Sequence, residues 1–162
     1  MRKGISALIV AVWSAAGGVL VCREIMARIY RKQIGKRNEA LEKMHVFYIV
    51  FNQWLAIRQE GRSLEEYFIE NDYKTVAIYG MKEFGERLYD ELKDSSINVR
   101  YAIDKDADFL YTDVDVVVPT GILEPVDAIV VTAVYHFDEI KRTLRDKANC
   151  PIISLEDIVF SL

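Results

Sequence analysis

An open parallel sheet flanked by helices is the α/β fold this sequence predicts, on three observations. The apolar run Thr75-Val76-Ala77-Ile78-Tyr79 ends in Gly80, and Gly85 then opens an amphipathic stretch reaching Lys93, which is the order strand, glycine turn, helix. Further apolar runs recur at residues 99–103, about 114–118, 128–132 and 151–155, with a helical pattern at 137–146 between the last two. Ala128-Ile129-Val130-Val131 is aliphatic at every position, as a parallel strand covered on both faces requires. About five strands in the order 3-2-1-4-5, joined by right-handed crossovers, are expected after an N-terminal transmembrane helix and amphipathic helices.

With 162 residues the chain can form one core of about 100 residues and an appendage. We divide it into a transmembrane leader at 1–23, a helical connector at 24–72 and a Rossmann-like domain at 73–162. Residues 4–22 carry no charge and, as a helix, span roughly 28 Å, close to the thickness of a bilayer's hydrocarbon core. Arg2 and Lys3 precede them, and Arg23, Arg28, Arg31, Lys32, Lys36 and Arg37 follow. That excess of positive charge predicts a single-pass protein of the cell membrane with its C-terminal body in the cytoplasm. A cleaved signal peptide, a lipoprotein box at Val19-Leu20-Val21-Cys22 and a buried soluble helix are the competing readings. Ala7, Ala11 and Ala15 recur every four residues, a face on which spans can pair.

The connector lacks proline from Glu24 to Arg58, and Leu41, Met44, Tyr48, Phe51 and Leu55 repeat at three-four spacing, which predicts an amphipathic helix; Phe47 and Trp54 widen its stripe, and the run from Val46 to Phe51 is apolar on nearly every face. Its apolar face needs cover from the body, from a homodimer mate or from a membrane-bound enzyme. Gly61 stops it. Ser63-Leu64-Glu65-Glu66 then reads as a capping box for a short helix to about Glu70.

Charge separates leader from body. Residues 1–37 hold eight Lys or Arg against the single acid Glu24, a balance of +7, so a net charge of −4 leaves −11 for the rest. An acidic body with no basic stripe argues against nucleic acid as its partner. Cys22 and Cys150 stand far apart, and neither a disulfide framework nor a metal site is suggested.

In a sheet of this order a ligand binds beyond the C-terminal strand ends, at the point where the strand order reverses. Gly80, Met81, Lys82, Asp104 and the stretch from Thr132 to His136 fall there, and Gly85 starts the following helix. We therefore take Gly80, Met81, Lys82, Gly85, Asp104 and Thr132 as cofactor-binding candidates. The dinucleotide fingerprint is G-x-G-x-x-G, and Lys82 takes its middle glycine. The lysine either adds a charge for a phosphate or blocks the close backbone approach a pyrophosphate needs. Glu83 and Glu86 each oppose a phosphate charge by roughly 0.7 kcal/mol at about 6 Å in water. Asp104, 24 residues after Gly80, holds a ribose hydroxyl or merely forms a turn. His136 is the one titratable group near the crevice with a useful pKa, a weak catalytic candidate against a plain loop or helix-capping role. Tyr101-x-x-x-Lys105 and Tyr89-x-x-x-Lys93 match a dehydrogenase spacing but lie on elements where that chemistry does not operate.

Between Thr75 and Val159 the phrases VAIYGMKEFGERLYDEL, VRYAIDKD, DAIVVTAVYHFDEI and CPIISLEDI resemble the small Rossmann-like domains of bacterial capsule and exopolysaccharide gene clusters. Those look like relatives of the NAD-binding-like and nucleotide-sugar-binding domains attached to sugar-modifying enzymes and glycosyltransferases. The resemblance covers slightly over half the chain, and its site positions are Gly80, Gly85 and Asp104. It implies a membrane-anchored accessory protein of polysaccharide biosynthesis, more a binder than an enzyme, that takes NAD(P) or a nucleotide sugar or holds a partner glycosyltransferase. The alternative is a subunit of an NAD(P)-dependent sugar oxidoreductase or epimerase.

Overall fold

The computed structural model describes the backbone of residues 2–107 and 113–162 and the side chains of 23–107 and 113–162. The order is α1 (Arg2–Gln59), α2 (Glu65–Glu70), β1 (Thr75–Tyr79), α3 (Glu83–Leu92), β2 (Asn98–Ile103), β3 (Val116–Val117), β4 (Ala128–Val131), a 3-10 turn (Val134–His136), α4 (Phe137–Leu144), β5 (Ile152–Ser154) and α5 (Leu155–Ser161). Two compact units result, Met1–Met44 and His45–Leu162.

The second unit is an α/β fold whose five strands are parallel in the order β3-β2-β1-β4-β5, as the spacing of apolar runs predicts. β1 is central. It pairs Ile78 with Ala102 on one side and with Val130 on the other. Because successive strand residues point to opposite faces, the sheet carries two cores. Val76, Ile78, Ala102, Ala128 and Val130 face one, which is completed by α2, α3, α5 and the last turns of α1. Ala77, Tyr79, Ile103, Ile129 and Val131 face the other, beneath Ile140 and Leu144 of α4. Both faces are covered, which is why β4 contains no polar residue.

Helix α1 contributes Val50, Trp54 and Ile57 to the first core, at 0%, 5% and 2% exposure. Trp54 belongs to the expected apolar stripe, but the rest of that stripe is corrected: Leu41, Met44, Tyr48, Phe51 and Leu55 are exposed at 67%, 71%, 64%, 46% and 46%. The helix has two apolar faces, and periodicity alone did not say which one the sheet would take. Trp54 is fixed on the buried side because its indole Nε1 donates to Glu91 Oε2 at 2.7 Å, while Glu91 Oε1 accepts the Leu64 amide at 2.7 Å. One carboxylate thus ties α1 and the entry to α2 onto α3.

Half of the expected capping box forms. Glu66 Oε1 accepts the Ser63 amide at 3.2 Å, but α2 begins after Leu64, and no side chain caps it. The third strand is shorter than its apolar run, because only Val116 and Val117 pair with β2. Helix α5 was not expected; Ser154 Oγ accepts the Glu156 amide at 3.2 Å to start it, and Leu155, Ile158 and Val159 bury its inner face.

The expected membrane span at 4–22 lies outside the described side chains; its backbone belongs to α1. Among the described residues no helix is long and apolar enough to cross a membrane.

Candidate functional site

Gly80, Asp104 and Thr132 follow the C-terminal ends of β1, β2 and β4, so three adjacent strands deliver them to one edge, at the reversal between β1 and β4. Gly80 has a φ of +94°, which an L side chain resists, and a Cβ there would also stand 2.9 Å from Thr132 Oγ1. The Gly80 amide donates to Ile103 O at 2.8 Å. Thr132 Oγ1 lies 2.6 Å from Gly80 O and 3.1 Å from Tyr79 O, and its single proton serves these two carbonyls. The turn after β1 is thereby stitched to both neighbouring strands.

Gly85 matters for a different reason. A Cβ there would stand 2.0 Å from Gly80 O, so the first turn of α3 lies directly against the loop backbone. Gly80 and Gly85 therefore perform the tight-turn and close-packing duties of the first and third fingerprint glycines.

Lys82 performs neither. It is exposed, with φ −90° and ψ −157°, and stands at the N-cap of α3. That extended backbone suits any residue, so a middle glycine is not demanded by the loop's conformation; what Lys82 changes is the charge and bulk at the helix's positive end. Glu83 and Glu86 occupy the first turn and are exposed, Glu86 within 3.8 Å of Arg87.

Asp104 is 8% exposed, and both of its oxygens are engaged. Oδ2 accepts the amide of Met81 at 2.9 Å, and Oδ1 accepts that of Asp106 at 3.0 Å. A carboxylate has about four acceptor positions, so capacity remains for a sugar hydroxyl. Met81 is 1% exposed and packs its side chain into the first core; only its amide belongs to the site.

His136 ends the 3-10 turn, exposed, its ring edge-on to Tyr135 with centroids 5.3 Å apart. It heads α4 without capping it through its side chain. The structure thus joins Gly80, Met81, Gly85, Asp104 and Thr132 through direct contacts, sets Lys82 at the rim and leaves His136 on the β4 side.

Sequence reasoning passed over Tyr79. Burial above all, and then the nearby carboxylates of Asp104 and Glu139, raise its phenol above the ordinary value of 10.0. Its signal in the sequence is only a polar-tipped aromatic at the last position of a buried strand. Among the described residues no three His, Cys, Asp or Glu are grouped to hold a metal. Burial pushes the Cys150 thiol up, which makes it less nucleophilic.

No family model matches this chain, and neither does any curated protein or solved structure.

Proposed function

We propose that the domain binds a nucleotide or nucleotide sugar at the Gly80–Gly85 loop, as a noncatalytic accessory protein of polysaccharide biosynthesis held on the cytoplasmic side of a membrane by residues 4–22. The observation that carries the reading is the loop itself. Both structural glycines act, Asp104 and Thr132 hold the turn from either side, and Lys82 stands at the positive end of α3, where a phosphate would meet it. Lys82 supports a phosphate at the loop and the carboxylates of Glu83 and Glu86 oppose it, which favours micromolar binding over a tightly held pyrophosphate. The polysaccharide setting rests on the resemblance of residues 75–159 to domains of capsule clusters, and the membrane setting on the uncharged segment with its basic flank.

Isothermal titration of the full chain in detergent with NAD, NADP and a panel of UDP- and GDP-sugars tests the binding reading. We expect micromolar affinity for one of these classes, weakened roughly ten-fold by Lys82→Glu through reversed charge at an exposed position. Binding that ignores Lys82→Glu places the ligand elsewhere. If nothing in the panel binds, the scaffold form of the proposal remains, and it then requires a glycosyltransferase to co-purify. Recovery of the protein in the soluble fraction at low expression would refute the anchor.

A further inference from the structure

We infer that the phenol of Tyr79 is a recognition group for the ligand, taking an uncharged sugar hydroxyl on the α4 side of the Gly80 turn. This rests on the nucleotide reading above and assigns which part of the ligand meets which part of the site. Tyr79 is the last residue of β1 and stands immediately before Gly80. It pairs with Ile103 of β2 and with Val131 of β4, and its carbonyl accepts the Thr132 amide at 3.0 Å. The backbone that carries the ring is thus held by both neighbouring strands. The residue is 6% exposed, and its ring packs in the core beneath α4.

A buried tyrosine hydroxyl is ordinarily given a partner by the fold. Tyr101, on β2 and in the same core, is such a case: it is 4% exposed, and its hydroxyl donates to Glu124 O at 2.6 Å. The Tyr79 hydroxyl bonds to none of the described residues. Among those residues no side-chain nitrogen or oxygen that is sealed from solvent lacks a partner, so the Tyr79 oxygen is open at its tip while its ring is enclosed. An aromatic ring already fixed by a core, with a free hydroxyl at its tip, loses little freedom when a ligand takes that hydroxyl.

The groups around the phenol select the chemistry. The carboxylates of Asp104, which follows β2, and of Glu139, in the first turn of α4, lie near it. A phosphate placed there would be repelled by both. A sugar hydroxyl suits all three groups, because it accepts from the phenol and gives its own proton to a carboxylate. Each Asp104 oxygen holds one amide and keeps capacity for that proton. Lys82 stands at the start of α3, which packs on one face of the sheet, whereas α4 packs on the other. The ligand therefore crosses the sheet edge with phosphate toward α3 and sugar toward α4. That sugar is the ribose of the nucleoside or the hexose of a nucleotide sugar.

Titration of the full chain in detergent with UDP-glucose, GDP-mannose and NAD, and with UDP, GDP and pyrophosphate as their shortened forms, tests the assignment in wild type, Tyr79→Phe and Tyr101→Phe. Tyr79→Phe should bind the sugar-bearing ligand roughly three- to ten-fold more weakly, the loss of one hydrogen bond between uncharged groups, and should bind pyrophosphate as wild type does. Unchanged affinity for UDP or GDP identifies the hexose as the partner; a loss as large as for the full ligand identifies the ribose. Because the Tyr79 hydroxyl holds no described part of the fold, Tyr79→Phe should keep the wild-type urea midpoint, whereas Tyr101→Phe should lower the midpoint and keep the affinity. Affinity of Tyr79→Phe within about two-fold of wild type for every ligand that binds, an equal loss for pyrophosphate, or a midpoint lowered as far as in Tyr101→Phe would overturn the inference and leave the nucleotide reading standing. Failure of the wild type to bind any of these probes would overturn the nucleotide reading, and the inference with it.

Discussion

Asp104 holds the backbone amide of Met81 at 2.9 Å, so the acid that sequence spacing offers either to a ribose or to a turn is the latch of the glycine turn. Under the proposed nucleotide reading, this residue links ligand affinity to stability. Asp104→Ala strands the amide of a residue that is 1% exposed, and an unpaired buried donor costs about 1–3 kcal/mol. We expect a loss of that size in urea unfolding, and a smaller one for Asp104→Asn, which keeps an acceptor for Met81. An alanine variant within about 0.5 kcal/mol of wild type would show that the latch contributes nothing.

Gly85 and Gly35 should respond to alanine with opposite signs. At Gly85 the new Cβ would meet Gly80 O, a backbone atom, at 2.0 Å. Helix and loop must separate, at a cost of about 3 kcal/mol or more, the upper end of what overpacking does. Gly35 lies inside α1, and a Cβ added there would meet nothing within 4 Å, so Gly35→Ala should raise helix stability by about 0.5–1 kcal/mol. Unfolding curves of the two variants check both, and a neutral Gly85→Ala would refute the close packing of α3 on the loop.

The two ends of the pH scale should act through different residues. Asp127 accepts the Thr75 hydroxyl at 2.8 Å and the amides of Thr75 and Lys74 at 2.7 and 2.9 Å, and these bonds, the hydroxyl's first, hold its carboxyl below the ordinary 3.8. A folded value below the unfolded one gives stability that is present above pH 3.8 and lost as pH falls through the folded value. Asp127→Asn should therefore flatten the fall in melting temperature below about pH 4, with Glu65, Glu66 and Asp90, also lowered, supplying the remaining slope. At the alkaline end, burial pushes the Tyr101 phenol up to about 12, while its hydroxyl donates to Glu124 O at 2.6 Å. A raised folded value gives stability present below the unfolded value of 10.0 and lost as pH climbs toward 12, a slope that Tyr101→Phe should reduce, with Tyr67, Tyr79, Lys93 and Cys150, also raised, supplying the rest. Melting curves across the range would contradict this if either variant kept the wild-type slope.

The sheet was legible in the chain because parallel strands covered on both sides leave an unmistakable mark: Ala128 to Val131 has no polar residue, and Gly80 and Gly85 punctuate the first strand and helix at the spacing their contacts need. Strand order followed from that alternation and the handedness of crossovers. The site was legible only as a set of positions. That Asp104 would take the Met81 amide, that Tyr79 would sit near it, and that Lys82 would stand exposed at a cap depend on how β2 and β4 abut β1, and no local pattern encodes that.

That α1 would be helical and apolar on more than one side could be read from the chain, since both properties are set by residues within a few turns of each other. Which face went inward was settled only when Glu91 on α3 came within 2.7 Å of the Trp54 indole and Phe84 came to stack on Phe47. Those partners lie about thirty or more residues away in sequence, where helical periodicity carries no information.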